Sequence, residues 1–408
     1  MAIWQPIFTK ENEVKLINSK IELIRSQITN SQNISLFGGK AGIAIFYNYL
    51  YLLDNSSSNR AIAKQLILDC IGSLQNIASD FSFANGIAGI IWSISFQRNI
   101  GLIKAESDDI FNKIDTFIEG HFEEKFEEKN FDYLFGGLAS GLYFIERLPN
   151  KFALKALERI IILLDNISEK KGKNITWEDS FSLKYEQPLN QKKYNLGLAH
   201  GIPSIICFLS KIYKLNINRK LSKNLLEGST NWLLSHKLSL GNKSIFPAII
   251  FENSPEVFSR LGWCYGDLSV AICLWQAGKS LGSNYLLQQA INILNSTIKR
   301  RSQSDTLVMD YCLCHGASGI AHIYNNFYQA TRNNLYRQAA IHWYQFILQM
   351  KIKTDDFEMF KTWSVGDKNE VIWSKNLGLL LGASGIGLSL ISSISNIKPQ
   401  WDRCLLLS

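Results

Sequence analysis

The N-terminal stretch MAIWQPIFTKENEVKL has no basic start, no apolar run and no small-residue cleavage site, so export through a secretory signal is not expected. A disulfide framework is missing too. Seven cysteines, an odd number scattered over 408 residues, fit a reducing compartment and leave thiols available as ligands. The Lys and Arg residues form no aromatic-laced basic stripe, and a net charge of +8 is modest for this length, so nucleic acid is not an expected partner. One apolar stretch, Leu377 to Ile394, approaches the roughly 20 residues of a membrane span. Its several Gly and Ser residues, and its likeness to six other segments, make it a buried helix instead. No long disordered tract interrupts the chain, and 46% hydrophobic against 19% charged residues describes a globular protein that folds throughout.

What the chain does have is internal repetition. A small residue and Gly, then two or three residues, then Ser or Ala and an aliphatic run recur as GGKAGIAIF from Gly38, NGIAGIIWSI from Asn85, GGLASGLYF from Gly136, HGIPSIICFL from His200, YGDLSVAICL from Tyr265, HGASGIAHI from His315 and LGASGIGLSL from Leu381. Consecutive copies lie roughly 50 to 65 residues apart, the length of a helical hairpin with its loops. Before each copy runs an amphipathic helical pattern, at approximately 11–28, 59–78, 107–119, 152–168, 219–236, 283–300 and 334–351. Seven hairpins follow, with the apolar helices inside and the amphipathic ones outside. The expected fold is all-α, an α/α toroid of seven inner and seven outer helices in one domain spanning 1–408.

Two stretches depart from this rhythm. Residues 119–130, EGHFEEKFEEKN, read as a solvated helix face and loop. Residues 169–195 form a polar insertion with short β-like patches before the fourth repeat, expected at the rim where it can touch substrate. Glycine at the start of each inner helix permits a tight turn, and the polar residues beside it then point to the mouth of the ring. A concave site flanked by helix N-termini is expected there.

At that mouth-facing position Cys264 opens the fifth repeat in WCYG, and Cys314-His315 opens the sixth in LCHG. Taken singly, each cysteine reads as a small core residue. Aligned in adjacent hairpins, two thiols and an imidazole form the Cys₂His set of catalytic zinc sites, which keep a fourth position open. Cys70, Cys207, Cys273 and Cys404 do not share the position. Cys312, in the run Cys312-Leu313-Cys314-His315, is an alternative second thiol; Cys314 is preferred because it aligns with Cys264, two residues before the repeat glycine. His322 sits farther along the sixth inner helix and reads as a packed residue or one behind the ligands, since a fourth protein ligand would close the site. His121, His236 and His342 fall on outer-helix or loop patterns.

WCYG followed some fifty residues later by CHG, on seven Gly-rich helical repeats, resembles the lanthionine synthetase C-like family, the lanthipeptide cyclases, over essentially the whole chain. The resemblance implies one Zn²⁺ on Cys264, Cys314 and His315. It also implies site roles for Arg260 in RLGWCYG, for Tyr265, for His200 in LGLAHG and for Asp132 in DYLFGG. The third repeat departs from the family pattern, with Ala139-Ser140 in place of a small-Gly pair, which predicts a shifted helix start near Asp132.

The implied reaction is addition of a cysteine thiol to dehydroalanine or dehydrobutyrine in a dehydrated precursor peptide, giving a thioether ring. A free thiol, with a pKa of about 8.5, is only partly ionised at neutral pH, and a metal with an open position ionises it. Addition leaves an enolate; Arg260 would supply positive charge and His200 a proton, with Asp132 orienting the imidazole. A dehydratase and an exporter are the implied partners of a cytoplasmic enzyme. Addition of glutathione to dehydrated protein side chains would use the same residues, and a non-catalytic peptide- or thiol-binding ring would not need His200 or Asp132. Other α/α toroids fit less well: no facing carboxylate pair suits glycoside hydrolysis.

Overall fold

The computed structural model describes residues 3–28, 31–74, 80–104, 109–179, 191–239, 241–251, 258–349, 361–366 and 370–408. Parts of the outer helices expected at 75–78, 107–108 and 350–351, and residues 180–190 of the polar insertion, lie outside the described residues. Among the described residues the expected alternation is present. α1 (Glu11–Gln27) precedes α2 (Lys40–Asp54), α3 (Ser57–Ser73) precedes α4 (Ile87–Asn99), and α5 (Asp109–Glu127) precedes α6 (Ser140–Arg147). α7 (Lys151–Asn166) precedes α8 (Ile202–Lys214), and α9 (Arg219–Leu234) precedes α10 (Asp267–Leu281). α11 (Asn284–Thr297) and the single turn α12 (Gln303–Thr306) lead to α13 (Ala317–Thr331), and α14 (Asn334–Leu348) leads to α15 (Ala383–Ile394). Short antiparallel pairs join β1 (Glu169–Lys171) to β2 (Asn174–Thr176), β3 (Lys193–Asn195) to β4 (Ile249–Phe251), and β5 (Lys361–Val365) to β6 (Val371–Lys375). No described helix is long and apolar enough to cross a membrane; the stretch 377–394 is a turn followed by α15.

The first helix of each hairpin buries one stripe. In α7, Ala153, Ala156, Leu157, Ile160, Ile161 and Leu164 face inward at three- and four-residue spacing, and the Asn150 side chain caps the start by accepting from the N–H groups of Phe152 and Ala153. The second helix is buried all round, as α8 is from Ile202 to Ser210. Some of its small polar residues are satisfied internally: Ser93 Oγ donates to the Ala41 carbonyl at 2.9 Å, and Ser389 Oγ to the Ser318 carbonyl at 3.1 Å. At these two positions the hydroxyl lets neighbouring apolar helices approach without stranding a donor.

The all-buried helices start differently from the outer ones. Their N-cap glycines offer no side chain, so the orphan N–H groups of the first turn must be satisfied otherwise. A loop running back alongside the helix start does this. Six residues before the glycine stands Asn33, Asp80, Asn130, Asn195, Asp310 or Asn376 in six of the seven repeats. The carbonyl of this residue accepts from Lys40 N at 2.8 Å, Ile87 N at 2.9 Å, Gly137 N at 3.1 Å, Ala317 N at 3.0 Å and Ala383 N at 3.0 Å. Its side-chain oxygen accepts the N–H two residues on in five of them, a bond of 2.8 to 3.2 Å at Ser35, Asp132, Gly197, Cys312 and Gly378. Glycine is needed because the loop lies so close: a Cβ on Gly39 would stand 2.2 Å from the Asn33 carbonyl oxygen.

The fifth repeat breaks the pattern. Arg260 occupies the Asn/Asp position, and Gly266 takes φ +103°, where a side chain is strained and a Cβ would lie 1.9 Å from the Arg260 carbonyl oxygen. The third repeat is shifted as its sequence predicts: α6 begins at Ser140, beyond the Gly136-Gly137 turn, whereas the other inner helices begin directly after their glycine.

Two compact units divide the chain. One comprises Met1–Asp80, Ala84–Lys104 and Leu307–Ser408, the other Phe81–Phe83 and Ala105–Thr306. Within the first, backbone bonds link the helix-start turns in series. Phe37 N donates to the Ala84 carbonyl, Leu380 N to Phe37, and Leu313 N and Cys314 N to Leu380. The seventh repeat thus abuts the first. Within the second unit, Ala199 N donates to the Cys264 carbonyl at 3.3 Å, joining the turns of the fourth and fifth repeats.

Candidate functional site

In the second unit the turns of the third, fourth and fifth repeats gather His200, Asp132 and Tyr265. Asp132 follows Asn130 by two residues, and its Oδ1 accepts from Leu134 N and Phe135 N, both at 2.8 Å, which fixes the carboxylate. Its Oδ2 lies 2.6 Å from Nδ1 of His200. The His200 ring stacks on Phe135 and meets Tyr265 at a tilt, with centroids 6.3 and 6.1 Å away. Burial works against the charged imidazole, yet the facing Asp132, with Cys264 and Asp179 beyond it, outweighs burial and raises the His200 pKa above its ordinary value. Nδ1 is engaged by Asp132, so Nε2 is the ring atom positioned to pass a proton.

Tyr265 accepts from Asn195 Nδ2 at 3.3 Å, and burial raises its pKa well beyond the physiological range, so it stays a neutral phenol. Close packing enforces the meeting of these turns. A Cβ on Gly197 would stand 2.4 Å from the Cys264 carbonyl oxygen and 2.5 Å from the Tyr265 ring, so only glycine fits in LGLAHG at that place. Cys264 itself is buried at the head of α10. Arg260 is half-buried in the same turn, six residues ahead of Gly266.

Five supporting residues escaped the reading of the sequence. Asp179 and Lys193, in the polar insertion, form a buried ion pair of 3.0 Å, and Asn195 Nδ2 reaches Asp179 Oδ2 at 3.3 Å. The insertion is therefore built into the site in its described part. Arg300, also buried, bonds the Ser259 and Asp305 carbonyls and pairs with Asp267 Oδ2 at 3.2 Å, while the Asp267 carboxylate accepts from Ile245 N and Phe246 N. Asp267 is the first residue of α10, so this clamp fixes the turn that carries Cys264. An acidic residue directly after the repeat glycine, in YGDLS, was the available signal.

In the first unit the turn before α13 presents Asp310, Cys312, Cys314 and His315. Nε2 of His315 lies 3.0 Å from Asp310 Oδ2, and the ring meets Trp363 of β5 edge-on at 5.2 Å. Asp310, Cys312 and His315 offer ligand atoms that lie within 4.8 Å of one another, so this turn is a possible Cys/His metal site. The two thiols differ. Cys312 is buried, burial raises its pKa, and its Sγ faces the His315 N–H at 3.5 Å inside the turn. Cys314 is half-buried. His322 lies fully buried with Nε2 3.0 Å from Asp402 Oδ2 and stacks on Trp401, a packed residue as its place in α13 suggested.

Repeated Gly-capped hairpins with thiols, imidazoles and carboxylates at their starts define a helical-repeat protein. The chain belongs to the lanthionine synthetase C-like protein family, whose model matches residues 30–406. Among curated proteins it is 26% identical over 354 residues to the nisin biosynthesis protein NisC of Lactococcus lactis subsp. lactis, covering 78% of this chain and 80% of that one. Among solved structures it is similar to nisin cyclase, with a TM-score of 0.75 and 20% identity over 98% of both chains. That likeness bears out the all-α, α/α-toroid fold class expected from the repeats. Membership makes the chain an enzyme of the lanthionine cyclase type.

Proposed function

We propose that this chain is a zinc-dependent lanthipeptide cyclase, which adds cysteine thiols of a dehydrated precursor peptide to its dehydroalanine or dehydrobutyrine residues. Cys264, Cys314 and His315 hold the metal, a Cys₂His donor set that leaves one position open. The donors suit Zn²⁺, which favours thiolate and imidazole ligands, and Cys314 is half-buried rather than sealed in the core. Bound there, Zn²⁺ supplies ionisation of a substrate thiol at neutral pH. Cys312, buried within the turn, supports the fold of the motif and is not a ligand.

The observation that carries the reading is the joining of the His200–Asp132 pair to the turn of Cys264, through the Ala199 N–H on the Cys264 carbonyl. In the addition, a bond forms between the substrate sulfur and the β-carbon, the carbon–carbon double bond breaks, and its electron pair passes to the α-carbon and its carbonyl. His200 delivers its Nε2 proton to the α-carbon, and Asp132 holds the opposite edge of the ring and stabilises the protonated form. Arg260 offers positive charge to the enolate, and neutral Tyr265 an O–H. In the cytoplasm a dehydratase supplies the dehydrated peptide and an exporter removes the product.

Mass spectrometry of a dehydrated precursor after treatment with this protein and then a thiol-alkylating reagent tests the reading. Ring closure consumes thiols, so the wild-type product takes up no alkyl group, while the His200→Ala product keeps its full set. Peptide thiols that stay alkylatable, with glutathione consumed on a dehydroalanine side chain instead, would overturn it.

A further inference from the structure

We infer that Asn195 is a positioning residue whose amide holds the Tyr265 hydroxyl as an acceptor and so keeps the phenolic hydrogen for the substrate, an inference that rests on the cyclase reading above. Asn195 is buried and ends β3, where its backbone pairs with Ile249 of β4. It stands six residues before the helix-start glycine, as Asn33, Asn130 and Asn376 do in their repeats. It also does the same turn duty: its Oδ1 accepts from Gly197 N at 2.8 Å. That bond fixes the orientation of the amide, because only the oxygen can accept an N–H. The turn uses the oxygen alone, which leaves the nitrogen for other work.

Here both hydrogens of the nitrogen are placed. Nδ2 donates to Tyr265 Oη at 3.3 Å and to Asp179 Oδ2 at 3.3 Å, and the same Asp179 oxygen takes Lys193 Nζ at 3.0 Å. The buried ion pair thus anchors the amide from behind, and the amide reaches the site. A hydroxyl oxygen that accepts an N–H points its own hydrogen elsewhere, because the two hydrogens repel. Lys193, Asp179 and Asn195 are buried, whereas Tyr265 is half-buried and is the member of this series that a substrate can meet. The hydrogen bond that Tyr265 offers to the enolate oxygen strengthens as charge develops there, so its effect falls on kcat.

Asn195→Asp in the full chain tests this. A carboxylate can keep the turn, as Asp310 does by accepting from Cys312 N at 3.2 Å, but it puts an acceptor where the amide N–H groups stood. Tyr265 then donates its hydrogen to that carboxylate and has none for the substrate. Asn195→Asp should lower kcat by the same factor as Tyr265→Phe, up to about 10-fold, with KM, zinc content and circular dichroism unchanged. In the double variant the two losses should not multiply, because both remove the same hydrogen bond. If Asn195→Asp does not fold, Asn195→Ser decides: its short hydroxyl can hold the turn but does not reach Tyr265, so kcat should fall in the wild-type background and stay level in the Tyr265→Phe background. Wild-type kcat in the folded variant beside an impaired Tyr265→Phe, a loss confined to KM, or losses that multiply overturn this inference alone. Tyr265→Phe at the wild-type rate overturns it together with the role given to Tyr265, and a wild-type protein that closes no ring overturns the cyclase reading with it.

Discussion

Two histidine–aspartate pairs stand at helix-start turns, one in each unit, and they are built in opposite senses. In the second unit Asp132 meets His200 at Nδ1, at 2.6 Å; in the first Asp310 meets His315 at Nε2, at 3.0 Å. The carboxylates also arise differently. Asp310 is itself the residue that shapes the loop before the helix, whereas Asp132 comes two residues after Asn130, which does that shaping. A shared turn therefore offers two places for a carboxylate: the later one bonds the neighbouring imidazole, while the earlier one is held by the backbone N–H groups of Cys312 and Trp363. A third pair, His322 with Asp402, is buried in the first unit away from any helix-start turn and holds α13 to the C-terminal turn.

The sharpest break in this comparison comes from His200. His200→Ala should lower cyclisation by about 10²- to 10⁴-fold, the range of a lost general acid, measured as initial rate of thiol loss. Asp132→Asn should cost less and shift the pH profile. The folded pKa of His200 is raised, so the proton donor persists above pH 6.5 and activity falls as pH rises through the raised value. Removing the anionic partner lowers that value, and the alkaline fall should move to lower pH. The stability contributed by the pair has the same sign: it is fully present below about 6.5 and is lost as pH rises through the folded pKa, so Asp132→Asn should destabilise most in mild acid.

Next in size is a purely structural break. Arg300→Ala leaves Asp267 buried without its cation and should cost about 3–5 kcal/mol, read by denaturant unfolding. The smallest effect expected is that of Tyr265→Phe, about 10-fold or less on rate with no change in zinc content, because the hydroxyl acts beside the His200 pair rather than through it.

The glycine pattern in the sequence located every inner helix because those glycines are forced by close backbone approach, and forced residues repeat. That pattern also aligned Cys264, Cys314, His315 and His200 at helix starts. The Asn or Asp six residues earlier was equally regular but lay on the other side of the turn, in stretches without hydrophobic periodicity. Its role is hydrogen bonding to backbone N–H groups two and seven residues on, which a search for hydrophobic periodicity does not disclose. Asp179, Lys193 and Arg300 were hidden for another reason. They reach the site from an insertion and from the end of an outer helix, and in sequence they look like solvated charges until the structure shows them buried in pairs.

Zinc content of the purified full chain, by inductively coupled plasma mass spectrometry, tests the account most directly. One zinc per chain is predicted in the wild type and in Cys312→Ala, with near-complete loss in Cys264→Ala and in Cys314→Ala. Full zinc in both of the latter, or loss confined to Cys312→Ala, would contradict it.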